Sequence, residues 1–167
     1  MMRIGGLMVL LMLVAQGRPA PGKINSTYDK TANFATFKTY GWIAGQPAFD
    51  PAADKTIVSA IDAEMTALGL KKVEGRTGDV TLRYLAVRST SVDLDKLEAL
   101  TKQGGDKSGA DVTVGRLIVV MEDKASRRLW AADGVERLNP AVADRDQTIK
   151  GIVARMFETY PTRQAKK

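Results

Sequence analysis

Neither cysteine nor histidine occurs anywhere in the 167 residues. Their absence removes Ser-His-Asp and Cys-His nucleophilic catalysis, imidazole proton transfer and Cys/His zinc sites. No disulfide can form, so cysteine usage says nothing about the compartment in which the chain works. What remains chemically is carboxylate chemistry, Ser-Lys or Thr-Lys dyads, and oxygen-ligated metals. Aromatic residues are scarce, at 6% of the chain. Long apolar runs are scarcer still, with one example at the N-terminus.

That run carries an address. Arg3 precedes the apolar stretch Ile4–Val14, and the small or polar residues Ala15-Gln16-Gly17 follow, which is the layout of a secretory signal peptide. Small side chains at Ala15 and Gly17 place the expected cleavage before Arg18. As a helix, Ile4 to Gly17 would span roughly 21 Å, short of a ~30 Å hydrocarbon core, so a retained anchor is the weaker reading. The remainder, about 150 residues, is one domain's worth and long enough to bury a sizeable core.

Charge is the other bulk property. Lysine and arginine number 25 against 19 acids. The excess is interleaved with carboxylates and suits weak attraction to an anionic envelope surface. No nucleic-acid partner, no cofactor and no transmembrane segment in the mature form are expected.

Along the chain, the leader 18–22 gives way to a strand in which Ile24, Ser26 and Tyr28 share one side. Thr39–Ile43 reads as a second strand. Asp50-Pro51 supplies an N-cap and a first-turn proline to a helix whose Ile57, Ile61, Met65 and Leu68 recur at helical spacing, with Gly69 and Leu70 closing it. Asp79–Val92 alternates as a half-buried strand, and Leu94, Leu97 and Leu100 fit a short helix. Residues 102–113, glycine-rich and without periodicity, are expected to be a flexible loop. Leu117–Met121 reads as a central strand and Arg128–Leu138 as its antiparallel partner, with a bulge near Gly134. Asn139-Pro140 is expected to cap a second helix that Pro161 ends, leaving 162–167 as a basic tail. Two helices that must each bury a stripe, and one sheet to bury it against, predict a single α+β domain over 23–161. Its expected form is a two-layer sandwich, a mostly antiparallel sheet with two main helices on one face.

Candidate sites are few. Thr27-Tyr-Asp-Lys30 has a hydroxyl-x-x-Lys spacing but lies where a strand ends. Gly104–Ser108 lacks the glycines of a phosphate loop. The paired acids Asp93/Asp95 and Asp144/Asp146 do not continue into a calcium loop and read as helix N-terminal acids. Asp62, Glu64, Glu122 and Asp123 are the acids nearest core elements, and a pair of them could serve glycoside hydrolysis only if they faced each other in space. No catalytic and no metal-ligating residue is therefore assigned. Six of the chain's aromatic residues fall between positions 28 and 49. Of these Tyr28, Phe37, Tyr40 and Trp42 form the candidate binding patch, weighed against a role in anchoring two strands to the core.

Several of these segments together resemble a known family. They are Phe34-Ala-Thr-Phe-Lys-Thr-Tyr-Gly-Trp42, Ala67–Leu70, Asp79–Tyr84, Gly115–Val120, Leu129-Trp130 and Phe157–Pro161. The chain is similar in them to the bacterial envelope family called domain of unknown function 4136, over about residues 24 to 161. The resemblance implies a small exported protein with no established activity. It adds no site. Members carry a lipid-modified cysteine at the end of the signal, whereas position 16 here is Gln, so release into the periplasm or beyond is expected. The expected role is a non-enzymatic binding or assembly module that contacts another envelope protein or surface. The alternatives are a carboxylate-dependent hydrolase of envelope glycans and a structural partner docking by strand addition.

Overall fold

The protein is described by a computed structural model over residues 22–105, 107–138 and 145–164. The expected signal peptide and leader to residue 21, the Asn139-Pro140 cap, Asp144 and the last three residues of the tail lie outside the described residues.

Six strands form one sheet: β1 (Ile24–Tyr28), β2 (Thr39–Trp42), β3 (Lys71–Lys72), β4 (Val80–Val92), β5 (Asp111–Glu122) and β6 (Arg128–Leu138). Their order is β1-β6-β5-β4-β2-β3. The three pairs β1 with β6, β6 with β5 and β5 with β4 are antiparallel, while β2 runs parallel to both β4 and β3. Helices α1 (Pro51–Ala67) and α3 (Arg145–Glu158) pack on one face of this sheet, and α2 (Leu94–Lys102) and α4 (Pro161–Gln164) are shorter. This is the expected α+β arrangement.

Helix α1 forms for the reasons visible in its sequence. Asp50 accepts a hydrogen bond from the Ala52 amide at 2.8 Å, and Pro51 sits where its missing amide costs nothing. At the far end Gly69 adopts φ +86°. The Gly69 and Leu70 amides then donate back to Thr66 and Met65 at 2.9 and 3.0 Å, a Schellman closure. Ile57, Ile61 and Met65 of α1 and Ile152, Val153, Met156 and Phe157 of α3 are buried against one side of the sheet. From the strands, Val80, Leu82, Tyr84, Val119, Met121, Trp130 and Ala132 meet them. Alternation along each strand puts these residues on one face and their neighbours on the other.

The opposite face follows from the same register. Leu85 pairs with Ile118, Arg83 with Val120 and Val87 with Arg116, and across β5 these continue to Asp133, Ala131 and Val135 of β6. Leu85, Ile118, Val120, Ala131 and Val135 are only half-buried, and Val87 is exposed. Both main helices lie on the other side, so among the described residues this face is the open one.

Four expectations are corrected. Strand β5 begins at Asp111, six residues before the apolar run, because Asp111–Arg116 pairs with Val87–Val92. Most of the stretch 102–113 is thus built into elements: α2 ends at Lys102, Lys107–Ala110 form a single turn of 3-10 helix, and 111–113 belong to β5. The register irregularity lies between Met121 and Glu122 and leaves Leu129 as the extra residue, whereas Gly134 pairs regularly with Leu117. Gly134 is small for another reason: a Cβ there would lie 2.9 Å from the side chains of Ile152 and Ile24. Finally, α3 ends at Glu158 and Pro161 opens α4 instead of terminating a helix, in keeping with proline's fit to a first turn.

Candidate functional site

The segment Phe37–Trp42, the most specific piece of the family resemblance, is held by two carboxylates, Asp79 and Asp62. The Asp79 carboxylate accepts hydrogen bonds from the backbone amides of Lys38 and Thr39 at 2.9 and 3.0 Å, and the Asp79 amide donates to the Thr39 hydroxyl at 3.0 Å. These donors hold the Asp79 carboxyl below its ordinary range, the Lys38 amide foremost. The Tyr40 side chain, 1% exposed, donates its phenol proton to Asp62 Oδ1 at 2.8 Å. Trp42 Nε1 donates to the same oxygen at 2.9 Å, and Lys72 Nζ meets Asp62 Oδ2 at 2.8 Å. About two turns earlier on α1, Asp54 repeats the arrangement by accepting from the Tyr84 phenol and, at 3.0 Å, from the Ala48 amide. Trp42 and Tyr84 pack edge to face at 5.9 Å between the two carboxylates.

These contacts divide the aromatic patch. Tyr40 and Trp42 belong to the Asp62 clamp and bind α1 to the sheet. Tyr28, 41% exposed, and half-buried Phe37 instead flank Phe34, with ring centroids 6.2 and 5.8 Å from it, and Phe34 rests on Tyr160 at 5.3 Å. The structure places the four candidate residues in two groups and buries one of them in the core. Phe49, 98% exposed, stands outside both.

The acids nearest the core are likewise committed. Glu122, buried, pairs with Arg83 on the open face. Asp123 accepts from the Ala125 and Arg127 amides at 2.8 and 2.9 Å and from Arg127 Nε, organising the β5–β6 turn. Glu64 pairs with Arg163 of α4 at 2.7 Å. Asp93 caps α2 through the Lys96 amide at 3.2 Å and pairs with Arg137 at 3.0 Å. Among the described residues no group of three or more acids is placed to hold a metal ion. A shallow groove of about 440 Å³ runs beside Val92, Leu94, Val112 and Val114, with Asp93 and Asp95 on its rim. Both of those acids come from the start of one helix, so they do not face each other across it.

The open sheet face is a second surface to consider. Its half-buried apolar stripe lies between ion pairs: Arg83 with Glu122, and Arg116 donating to both oxygens of Asp133 at 2.8 Å. The Arg116 guanidinium holds the Asp133 carboxyl below its ordinary range.

The ionisable groups define a pH profile. Asp29, Asp50, Asp79, Asp93, Asp123 and Asp133 all have lowered values, through hydrogen bonds that favour the carboxylate. Their contribution to stability is present above the ordinary carboxylate value of 3.8 and is lost as pH falls through the lower folded-state values. Burial pushes the phenols of Tyr40, Tyr84 and Tyr160 upward, helped for the first two by Asp62 and Asp54. Those phenols favour the folded state below their ordinary value of 10.0, and that advantage is eroded as higher pH ionises the unfolded chain first. With no histidine to titrate between them, the melting temperature should stay flat from about pH 5 to 9 and fall on both sides. A thermal melt series across pH tests this, and a step near pH 6.5 would contradict it.

The fold is thus that of a small two-layer α+β domain whose core-proximal acids are engaged in hydrogen bonds and ion pairs. The chain belongs to the bacterial family described as domain of unknown function (DUF4136), whose model matches residues 24–162. A comparison with curated proteins finds no match. Among solved structures it is similar to a PDZ domain protein from Parabacteroides distasonis, at 14% identity and a TM-score of 0.57. That match covers 83% of this chain and 35% of the other, so the chain spans about a third of that protein's length. It is also similar to the PelC dodecamer from Paraburkholderia phytofirmans in two crystal forms, at 13% and 12% identity, each with a TM-score of 0.53. These matches cover 81% of this chain and 93% and 94% of PelC. At such identities the likeness is one of fold.

Proposed function

We propose that this protein is an exported, non-catalytic binding or assembly module of the bacterial cell envelope. The open sheet face carries this reading. A sheet that the described helices cover on one side, with an apolar stripe between ion pairs on the other, offers a contact surface, whereas the acids that a hydrolase would need are each tied to amides, phenols or cations. The signal-like residues 1–17 support export, and among the described residues no helix is long and apolar enough to cross a membrane. The fold's occurrence in PelC, a protein that forms a dodecamer, fits an assembly role.

The test uses the full chain expressed with its own N-terminus in a bacterial host. The exported form should begin at Arg18, carry no acyl group, and sediment with isolated envelopes. Ile118→Lys, in the middle of the open face, should abolish that sedimentation while leaving the melting temperature within a few degrees of the parent. Unchanged sedimentation of the variant, or release of reducing sugar from envelope glycans by the parent, would overturn the reading.

A further inference from the structure

Of the three places where this sheet could be extended, two are guarded by charge. β3 consists of the exposed pair Lys71–Lys72, and β1 has exposed Lys23 and Lys30 at its two ends, the kind of placement that discourages edge pairing. The third is not at the end of the strand order. β2 pairs with β4 only from Val80 to Leu82, and Gln46 extends the contact to Leu85 and the Ala86 amide. From Val87 to Val92, β4 has β5 on one side and, among the described residues, no strand on the other.

This free edge has the composition of a pairing strand. Val87-Arg-Ser-Thr-Ser-Val92 contains one charge, Arg88, and no proline or glycine. Val87 and Val92 are 41% and 49% exposed, and Leu94 just beyond is 73% exposed. Large apolar residues are thus left in water around an unpaired run of backbone. The alternation of the ladder fixes which groups point outward. The Ala86 amide donates to Gln46 and the carbonyls of Leu82 and Tyr84 accept from Ile43 and Gln46, all away from β5. Arg88, Thr90 and Val92 therefore turn their backbone amides and carbonyls to the open side.

Resting on the assembly reading above, we infer that this edge pairs with the same edge of a second copy, antiparallel about a twofold axis at Thr90. A self-contact must be self-complementary, and this register is. Thr90 faces Thr90 of the other copy, a favourable cross-strand pair, and Arg88 faces the uncharged Val92. The two Arg88 side chains then stand four residues apart, about 14 Å along the strand, beyond the ~8 Å screening length. The outward groups of Arg88, Thr90 and Val92 would exchange about six hydrogen bonds, and the two sheets would become one.

The absence of cysteine makes the test clean. In the full chain, Thr90→Cys introduces a single thiol. At a hydrogen-bonded pair on a twofold axis its Cα would lie about 5.5 Å from its mate, within disulfide reach. Under mild oxidation it should form covalent dimers at least roughly tenfold faster than Ser59→Cys on the exposed side of α1. Thr90→Pro removes only an outward-pointing amide, a substitution edge strands accept, and should convert a dimer to a monomer by sedimentation with melting unchanged. A monomeric parent, or Thr90→Cys cross-linking no faster than Ser59→Cys, overturns the inference. So does loss of envelope sedimentation by Thr90→Pro in a chain that was monomeric throughout, since the edge would then take an extended peptide. If Ile118→Lys still abolishes sedimentation in either case, the module reading survives without self-pairing. A Thr90-dependent dimer that never sediments with envelopes leaves self-pairing standing and rejects the module.

Discussion

Trp130→Ala should cost about 3–5 kcal/mol, a large share of the ~5–15 kcal/mol that holds a domain of this size. Trp130 is fully buried on β6, where its ring meets Phe157 at 5.1 Å and Tyr160 at 5.7 Å, joining the sheet to the end of α3. Truncation leaves a cavity lined by aromatic rings anchored on a strand, a helix and a helix end, which cannot all collapse into it. The melting temperature should fall by on the order of 10 °C. Trp130→Phe separates the ring from its nitrogen. Among the described residues Trp130 Nε1 is buried without a hydrogen-bond partner, so phenylalanine loses some volume but removes an unsatisfied donor. Chemical denaturation should therefore show Trp130→Phe much closer to the parent than to Trp130→Ala. Equal losses would mean that packing of the outer indole ring outweighs the unpaired nitrogen.

The contrast between Trp130 and Trp42 shows where sequence patterning stops being informative. Both sit in strands, yet only Trp130 is fully buried in the core. Trp42 is instead half-buried, with its nitrogen on Asp62, because β2 lies near one side of the sheet. Helix α1 was legible from Asp50-Pro51 to Gly69-Leu70 because each signal is local. Strands β4 and β6 were legible because long alternation admits one reading. The first half of β5 was not: Asp111–Arg116 contains a glycine and only two apolar residues, and it is a strand because Val87–Val92 lies beside it. β3 had no signal at all, since its two lysines pair with β2 only after the close of α1 delivers them there. The clamp was invisible for the same reason. Asp54 and Asp62 look like solvent-facing acids on a helix, and the phenols they accept from are 30 and 22 residues away in sequence. The density of aromatics between residues 28 and 49 was real, but a one-dimensional count could not divide it between the Phe34 cluster and Asp62.

That clamp explains the motif on which the family resemblance rests, and it yields the second large effect. Gly41 lies between Tyr40 and Trp42, and its conformation does not require glycine, for its φ is not among the positive ones. What it requires is space. A Cβ at Gly41 would stand 1.7 Å from the carbonyl oxygen of Gly75 and 2.9 Å from its carbon, both backbone atoms. Neither side has an easy retreat. The Val73 amide donates to Tyr40 at 2.8 Å on one flank and the Ile43 amide donates to Leu82 at 2.9 Å on the other, so β2 is held in place from both directions. Relief would have to come from displacing the segment that carries Val73 and Gly75 or from lifting β2 off β4, which would pull Tyr40 and Trp42 from Asp62. Gly41→Ala should therefore destabilise by roughly 3 kcal/mol, at the upper end of the cost of overpacking. Gly75→Ala is the matched control: it places a Cβ in open space but at φ +52°, and should cost about 1–2 kcal/mol, from backbone strain alone. In a Trp130→Phe background Trp42 is the sole tryptophan, and its emission should shift in Gly41→Ala before global unfolding as its indole leaves the carboxylate. If Gly41→Ala is no less stable than Gly75→Ala and leaves that emission unchanged, close approach is not what fixes glycine in this motif.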